Sequence, residues 1–286
     1  MKTNKNQITK QLQNVRALMV QSLRETELSK LLPPQNNIVG SGKMLRAQLT
    51  LSLSAANAIE EKTALHAAGA IEIIHGASLL HDDVIDGGIL RRNAPTFWKK
   101  HGVNGAILLG DLLVFKGLEL LISINRNDLL NELISLAATV CQSEVEQELI
   151  LRGKTGTWAE CEEIARAKTG SLFAFAALAA AKDPEQMKAL REAGFILGTA
   201  YQLADDLLDA SGNEALSGKT LGKDLERGKT TAKTVKKDAP IDPVSYIHTL
   251  LDQSAEELTQ WDGLHHAWLN CLKTIFLPVF EKHLAV

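Results

Sequence analysis

Residues 62–86 read KTALHAAGAIEIIHGASLLHDDVID, and residues 197–209 read LGTAYQLADDLLD. The first is strongly apolar, too long for an ordinary strand, and bounded by Gly87-Gly88, which predicts a buried helix. Both stretches close on the same pattern, Asp-Asp-x-x-Asp: Asp82, Asp83 and Asp86, then Asp205, Asp206 and Asp209. On a helix, positions i and i+4 lie one above the other, so Asp82 pairs with Asp86 and Asp205 with Asp209. This is the unfavourable helix end for carboxylates, where the dipole is negative and like charges repel. A solvated helix end accounts for one such cluster. Two copies, each followed by basic residues, point to a compensating positive charge. Carboxylates without His or Cys favour a hard cation such as Mg²⁺.

Outward from these stretches the apolar pattern stays helical, and Ala, Leu, Glu, Lys and Gln, all good helix formers, dominate. Residues 5–32 read as a helix stopped by Pro33-Pro34, a second helix starts near Gly42, and another spans about 103–123. Thr157 and Glu160 match a capping box and predict a helix over 158–181. Asp183-Pro184 reads as an N-cap followed by proline at the first helical position, opening a helix to about residue 210. Residues 211–229 read as a Gly-, Ser- and Lys-rich functional loop, and two or three shorter helices finish the chain. No run of alternating apolar residues argues for a sheet. The expectation is all-α: one domain over 1–286, a large antiparallel helical bundle around a central cavity.

The chain has 286 residues, 45% hydrophobic and 23% charged, with a net charge of -3. Neither a basic run nor an abundance of aromatics offers a nucleic-acid surface. Cys141, Cys161 and Cys271 are widely spaced and odd in number, which fits a reducing cytoplasm rather than a disulfide framework or zinc site. The first twenty residues lack the apolar run of a signal peptide, and no uninterrupted apolar run of about 18 residues predicts a membrane span.

If the aspartates hold Mg²⁺, the metal bridges to a diphosphate, its usual partner. Cations that could meet such a group follow each cluster: Arg91 and Arg92 after the first, Lys219, Lys223 and Lys229 after the second. Lys168-Thr169-Gly170 lies between them, and Lys43 and Arg46 stand near the N-terminus. Arg grips phosphate oxygens in pairs, whereas Lys acts as a point charge. Alone, each reads as a solvated surface charge, and His75 on its apolar helix as a satisfied core histidine.

Together, these residues resemble the trans-isoprenyl diphosphate synthases, the family of farnesyl, geranylgeranyl and longer polyprenyl diphosphate synthases. The resemblance covers about residues 40–231 and is carried by Gly42-Lys43-x-Leu45-Arg46, Leu79-Leu80-His81-Asp82-Asp83-x-x-Asp86, Leu90-Arg91-Arg92-x-x-Pro95-Thr96, Gly110-Asp111, Lys168-Thr169-Gly170, Gln202-x-x-Asp205-Asp206-x-Leu208-Asp209 and the loop from Gly218-Lys219 to Thr230. It implies the isoprenoid synthase fold and a homodimer in the cytosol. It implies three Mg²⁺ ions ligated by Asp82, Asp86 and Asp205, with Asp83, Asp206 and Asp209 ligating or supporting. Arg91, Lys168, Thr169, Gln202, Lys219 and Lys229 would hold the allylic diphosphate. Lys43, Arg46, His75 and Arg92 would hold isopentenyl diphosphate. The implied reaction ionises the allylic diphosphate and adds isopentenyl diphosphate to it.

Departures from the family pattern are Ser41-Gly42-Lys43-Met44 in place of Gly-Gly-Lys-Arg, Asn93 in place of Gly, Ala232-Lys233 in place of Leu-Pro, and a shorter tail after residue 231. One turn below Asp82 stand Ala77 and Ser78, both small, which implies a product of twenty carbons or more; Ile74 and Ile71 lie deeper on that face. Two other readings stay open: a class I terpene synthase, and a non-catalytic or regulatory subunit of a heteromeric prenyl synthase.

Overall fold

The computed structural model describes residues 2–24, 42–92, 94–154, 156–210, 231–232, 235 and 237–284. Its helices are α1 (Lys2–Arg24), α2 (Leu45–Ala56), α3 (Glu61–Ile85), α4 (Phe97–Ile122), α5 (Asn127–Glu146), α6 (Trp158–Ala165), α7 (Ser171–Leu178), α8 (Pro184–Ala210), α9 (Pro243–Glu256), α10 (Asp262–Cys271) and α11 (Leu277–Leu284). The all-α expectation holds, with one small addition. Leu90–Arg91 (β1) and Ala94–Pro95 (β2) pair antiparallel, Arg91 opposite Ala94. Two residues per strand are too few to show alternation in sequence.

Local chemistry sets the helix ends. Thr157 and Glu160 form the expected reciprocal capping box at α6. Asp183 accepts the Gln186 N–H at 2.8 Å and opens α8 before Pro184. α3 ends at Ile85, where Gly87 takes φ 59, a left-handed conformation that costs glycine little. Phe97–Ile122 is interrupted at Gly102 (φ 82), so its main body starts at about the expected residue 103. The N-terminal helix is described as far as Arg24; the rest of the expected 5–32 helix lies outside the described residues.

The stretch 158–181 is not one helix. Arg166–Gly170 forms a π-helical turn between α6 and α7. Such turns occur mostly as single insertions in α-helices, frequently at functional sites. A second unforeseen element is α5, whose Leu129, Leu133, Leu136 and Val140 recur on one face and are buried.

α3 is the central helix. It packs most extensively on α4 and α2, while α7 packs on α8. By length and composition α3 could cross a membrane, but its apolar residues are mostly buried inside the protein. Ala67, Ala68, Ala70, Ile71, Ile73 and Ala77 are fully buried, as are Phe173 and Phe175 on α7. Each large buried side chain contributes about 1.5–3 kcal/mol. The buried apolar side chains form one continuous core, from Val15 to Phe280. It fixes the ends of α3 and α8, and thus both acidic clusters.

Candidate active site

Asp82, Asp83 and Asp86 stand at the C-terminal end of α3. The Asp83 carboxylate is buried and gripped by Arg91, whose Nε lies 2.9 and 3.1 Å from its two oxygens and whose Nη2 lies 2.8 Å from Oδ1. Arg91 reaches back because β1 and β2 fold over the helix end. Thr96 Oγ1 and Trp98 Nε1 both donate to the Gly88 carbonyl, at 2.8 and 2.7 Å, and pin the hairpin there.

Asp205 and Asp206 lie near the end of α8. Asp206 accepts from Gln202 Nε2 at 2.7 Å and from the Ala232 N–H at 3.0 Å. The second aspartate of each motif is therefore held by protein groups, Asp83 by a guanidinium and Asp206 by two N–H donors.

The π turn joins the two clusters. Lys168 Nζ forms an ion pair with Glu144 on α5. Burial alone would pull the Lys168 ammonium down, but Asp82, Glu144 and Asp86 together outweigh it and hold the group well above its usual range. The next residue, Thr169, donates to Gln202 Oε1 at 2.6 Å, and Gln202 in turn holds Asp206. Lys168 thus feels the charge of the first cluster while Thr169 is linked through Gln202 to the second, so the turn stands between the ends of α3 and α8. Close backbone approach makes this possible: a Cβ on Gly198 would lie 2.6 Å from Gly170 Cα.

Beside this acidic region lies a basic one. Arg46 on α2 is buried, with its guanidinium 4.5 Å from the centroid of Phe173. Burial lowers its pKa, opposed by Glu72 and Tyr201. His75, one turn along α3 from Glu72, is held well below the usual imidazole range, first by desolvation and then by Arg46, Arg91 and Arg92. Arg92 has φ 54 in the hairpin turn and packs its guanidinium on Gly42, where a Cβ would lie 2.4 Å from Nη2. The segment leading to Lys43–Arg46 thus meets the hairpin at Gly42. With Arg91 committed to Asp83, Arg46 and Arg92 beside a histidine whose charged form is disfavoured make a place for an anion.

The structure thus brings Arg46, His75, Arg91 and Arg92 into one region, with Lys43 on the segment leading into it. Lys168, Thr169, Gln202 and Asp206 are brought together with the field of Asp82 and Asp86. Lys219, Lys223, Lys229, Ser41, Asn93 and Lys233 lie outside the described residues, as does the side chain of Asp209. Among the described residues, no three His, Cys, Asp or Glu side chains converge closely enough to hold a metal by themselves. The donor chemistry nevertheless fits Mg²⁺, because carboxylates concentrate around a single lysine and this ion takes few protein ligands when it shares a phosphate.

Sequence reasoning missed Glu144, Glu72 and Tyr201. Glu72 had a signal, a charge inside an apolar helix one turn before His75. Glu144, in a polar stretch of α5, had none.

The helical architecture and the paired acidic helix ends define the isoprenoid synthase fold. Residues 29–258 match the polyprenyl synthetase family model, and the chain belongs to that family. It is 32% identical over 198 residues to an octaprenyl diphosphate synthase from Haemophilus influenzae, covering 68% of this chain and 60% of that protein. It is 34% identical over 208 residues to a geranylgeranyl diphosphate synthase from Mycobacterium tuberculosis, covering 68% of this chain and 58% of that one. The match therefore spans about three-fifths of the length of these curated relatives. A polyprenyl synthase from Caulobacter crescentus, crystallised with calcium and isoprenyl diphosphate, superposes with a TM-score of 0.82 at 25% identity over 93% of this chain and 94% of that one.

Proposed function

We propose that this chain is a Mg²⁺-dependent trans-prenyltransferase that condenses isopentenyl diphosphate with an allylic diphosphate to give a prenyl diphosphate of twenty carbons or more. The observation that carries this reading is the Lys168–Thr169 pair, one residue in the field of the first acidic cluster and the next bonded to Gln202, which holds Asp206 of the second. A diphosphate between two acidic helix ends needs divalent cations, and the Caulobacter protein was crystallised with calcium and isoprenyl diphosphate. Curated relatives are synthases of octaprenyl and geranylgeranyl diphosphates.

In this reading Asp82, Asp86 and Asp205 hold three Mg²⁺ ions, supported by Asp83, Asp206 and Asp209. Held there, Mg²⁺ would supply positive charge to offset the negative charge of the departing diphosphate. Lys168, Thr169, Gln202, Lys219 and Lys229 orient that diphosphate, and Arg91, fixed on Asp83, faces it. Lys43, Arg46, His75 and Arg92 hold isopentenyl diphosphate with its alkene toward the allylic carbon. The buried surface near Ala77 keeps water from the allylic cation. The proton lost after coupling goes to the released diphosphate, so no side-chain nucleophile is required.

The chain acts as one domain in the cytosol and as a homodimer. Leu108, Phe115 and Ile122 recur every seventh residue on α4 and are exposed, as are Ile134, Val145 and Leu149 on or just beyond α5. Exposed apolar residues on neighbouring helices favour a self-complementary interface.

The test is to incubate the purified chain with Mg²⁺, isopentenyl diphosphate and geranyl or farnesyl diphosphate, then resolve products by mass. Products longer by five-carbon steps are expected. Product from the allylic diphosphate alone would mean a terpene synthase, and no product would mean a non-catalytic subunit.

A further inference from the structure

Glu72 is buried midway along α3, among alanines and isoleucines. Its Oε1 accepts the Ala47 N–H at 3.0 Å. That is a first-turn amide of α2, a helix whose N-cap, Met44, is in the left-handed region (φ 51) and makes no side-chain capping bond. First-turn N–H groups have no partner within their own helix, and the dipole there favours a negative group. α3 thus supplies the cap that α2 lacks.

The same carboxylate faces the basic pocket. Burial pushes Glu72 up, and Arg46, the Ala47 amide and Arg92 counter that push. Capping alone does not call for a buried charge; a Ser or Asn at position 44 would serve. A carboxylate in this place lies within electrostatic reach of Arg46 and ties the first turn of α2 to the helix that carries His75.

We propose that Glu72 is a positioning residue for the isopentenyl diphosphate pocket, setting α2 against α3 so that Arg46 presents its guanidinium beside His75 and Arg92. The ligand's identity rests on the prenyl-transfer reading above; the geometry does not. Glu72→Gln keeps a capping oxygen and removes the charge, which separates the two roles.

The experiment is calorimetric titration of the full chain with isopentenyl diphosphate, and separately with inorganic pyrophosphate, in EDTA so that the metal-dependent site is silent. Glu72→Gln is expected to weaken both about tenfold, the usual scale for losing a hydrogen-bonded charge partner. Helix content by circular dichroism stays unchanged. In the coupled assay, KM for isopentenyl diphosphate rises similarly while KM for the allylic diphosphate stays within about twofold. Glu72→Asp, with its charge withdrawn by one methylene, is expected to fall between and serves if the glutamine variant loses helix content. Wild-type binding matched within twofold by these variants, or exceeded, overturns the inference. A wild-type chain that binds pyrophosphate but not isopentenyl diphosphate and makes no prenyl product overturns the prenyl-transfer reading instead, leaving Glu72 to be judged on pyrophosphate.

Discussion

The Thr169 hydroxyl donates to the Gln202 amide oxygen over 2.6 Å, joining the π turn to the helix that carries the second acidic cluster. The contact depends on Gly198 and Gly170 lying backbone to backbone. A methyl group at 198 would meet main chain, which cannot swing aside. Gly198→Ala is expected to destabilise the fold by about 1–3 kcal/mol, the cost of overpacking. It should also lower turnover more than tenfold by moving Lys168 and Thr169 away from α8. Chemical unfolding with steady-state kinetics checks both; full activity would show that the turn tolerates displacement.

The aspartates are not equivalent. Asp82→Ala or Asp205→Ala is expected to reduce turnover by at least a thousandfold with the fold intact, as removing groups that stabilise transition-state charge does. Asp83→Asn strands the Arg91 guanidinium and should cost about 1–3 kcal/mol of stability, with a smaller catalytic loss. Urea unfolding and initial rates on the three variants test this ordering. A loss below tenfold in both Asp82→Ala and Asp205→Ala would take them out of the centre.

His75 gives the fold an acid-sensitive step. Free imidazole titrates near 6.5, and in the protein desolvation, then Arg46, Arg91 and Arg92, hold His75 well below that. On acidification the unfolded chain gains a proton that the folded chain refuses. His75's contribution is therefore complete above about pH 6.5 and is lost as pH falls toward the folded value. The slope is at most about 1.4 kcal/mol per pH unit. His75→Gln should flatten stability between pH 7 and 5 in urea titrations without ligand; an unchanged slope would place the acid sensitivity elsewhere.

Chain length is expected to respond at Ala77, fully buried one turn below Asp82. Ala77→Phe should shorten the main product by at least one five-carbon unit, read by mass spectrometry. An unaltered product would mean the chain grows along another path.

Phe115→Glu, alone or with Leu108→Glu, should convert a dimer to monomer by light scattering, because a charge would be buried at an apolar interface. A wild-type monomer would remove the interface altogether.

The all-helical class and the caps of α6 and α8 were legible because they depend on local chemistry, as at Thr157, Glu160 and Asp183. The acidic clusters were legible because their charge runs against the helix dipole. The π turn was not, since nothing in Arg166–Gly170 separates a five-residue hydrogen-bonded step from an ordinary one; that choice is made by contact with α8. Arg91's attachment to Asp83 was equally hidden. Sequence gives Arg91 and Asp83 as neighbours, and only the hairpin's return over the helix end decides which carboxylate meets which cation. Glu144 acquires its meaning from Lys168, whose approach is a property of packing.

The hairpin places consecutive arginines on different duties, Arg91 against the acidic helix end and Arg92 over Gly42 beside the basic pocket. A single peptide unit therefore sets the spacing between the acidic helix end and the basic pocket. Lengthening the turn by one residue would throw the regions out of step together, so in this molecule the alignment of acidic and basic groups is written into one of its smallest structural parts.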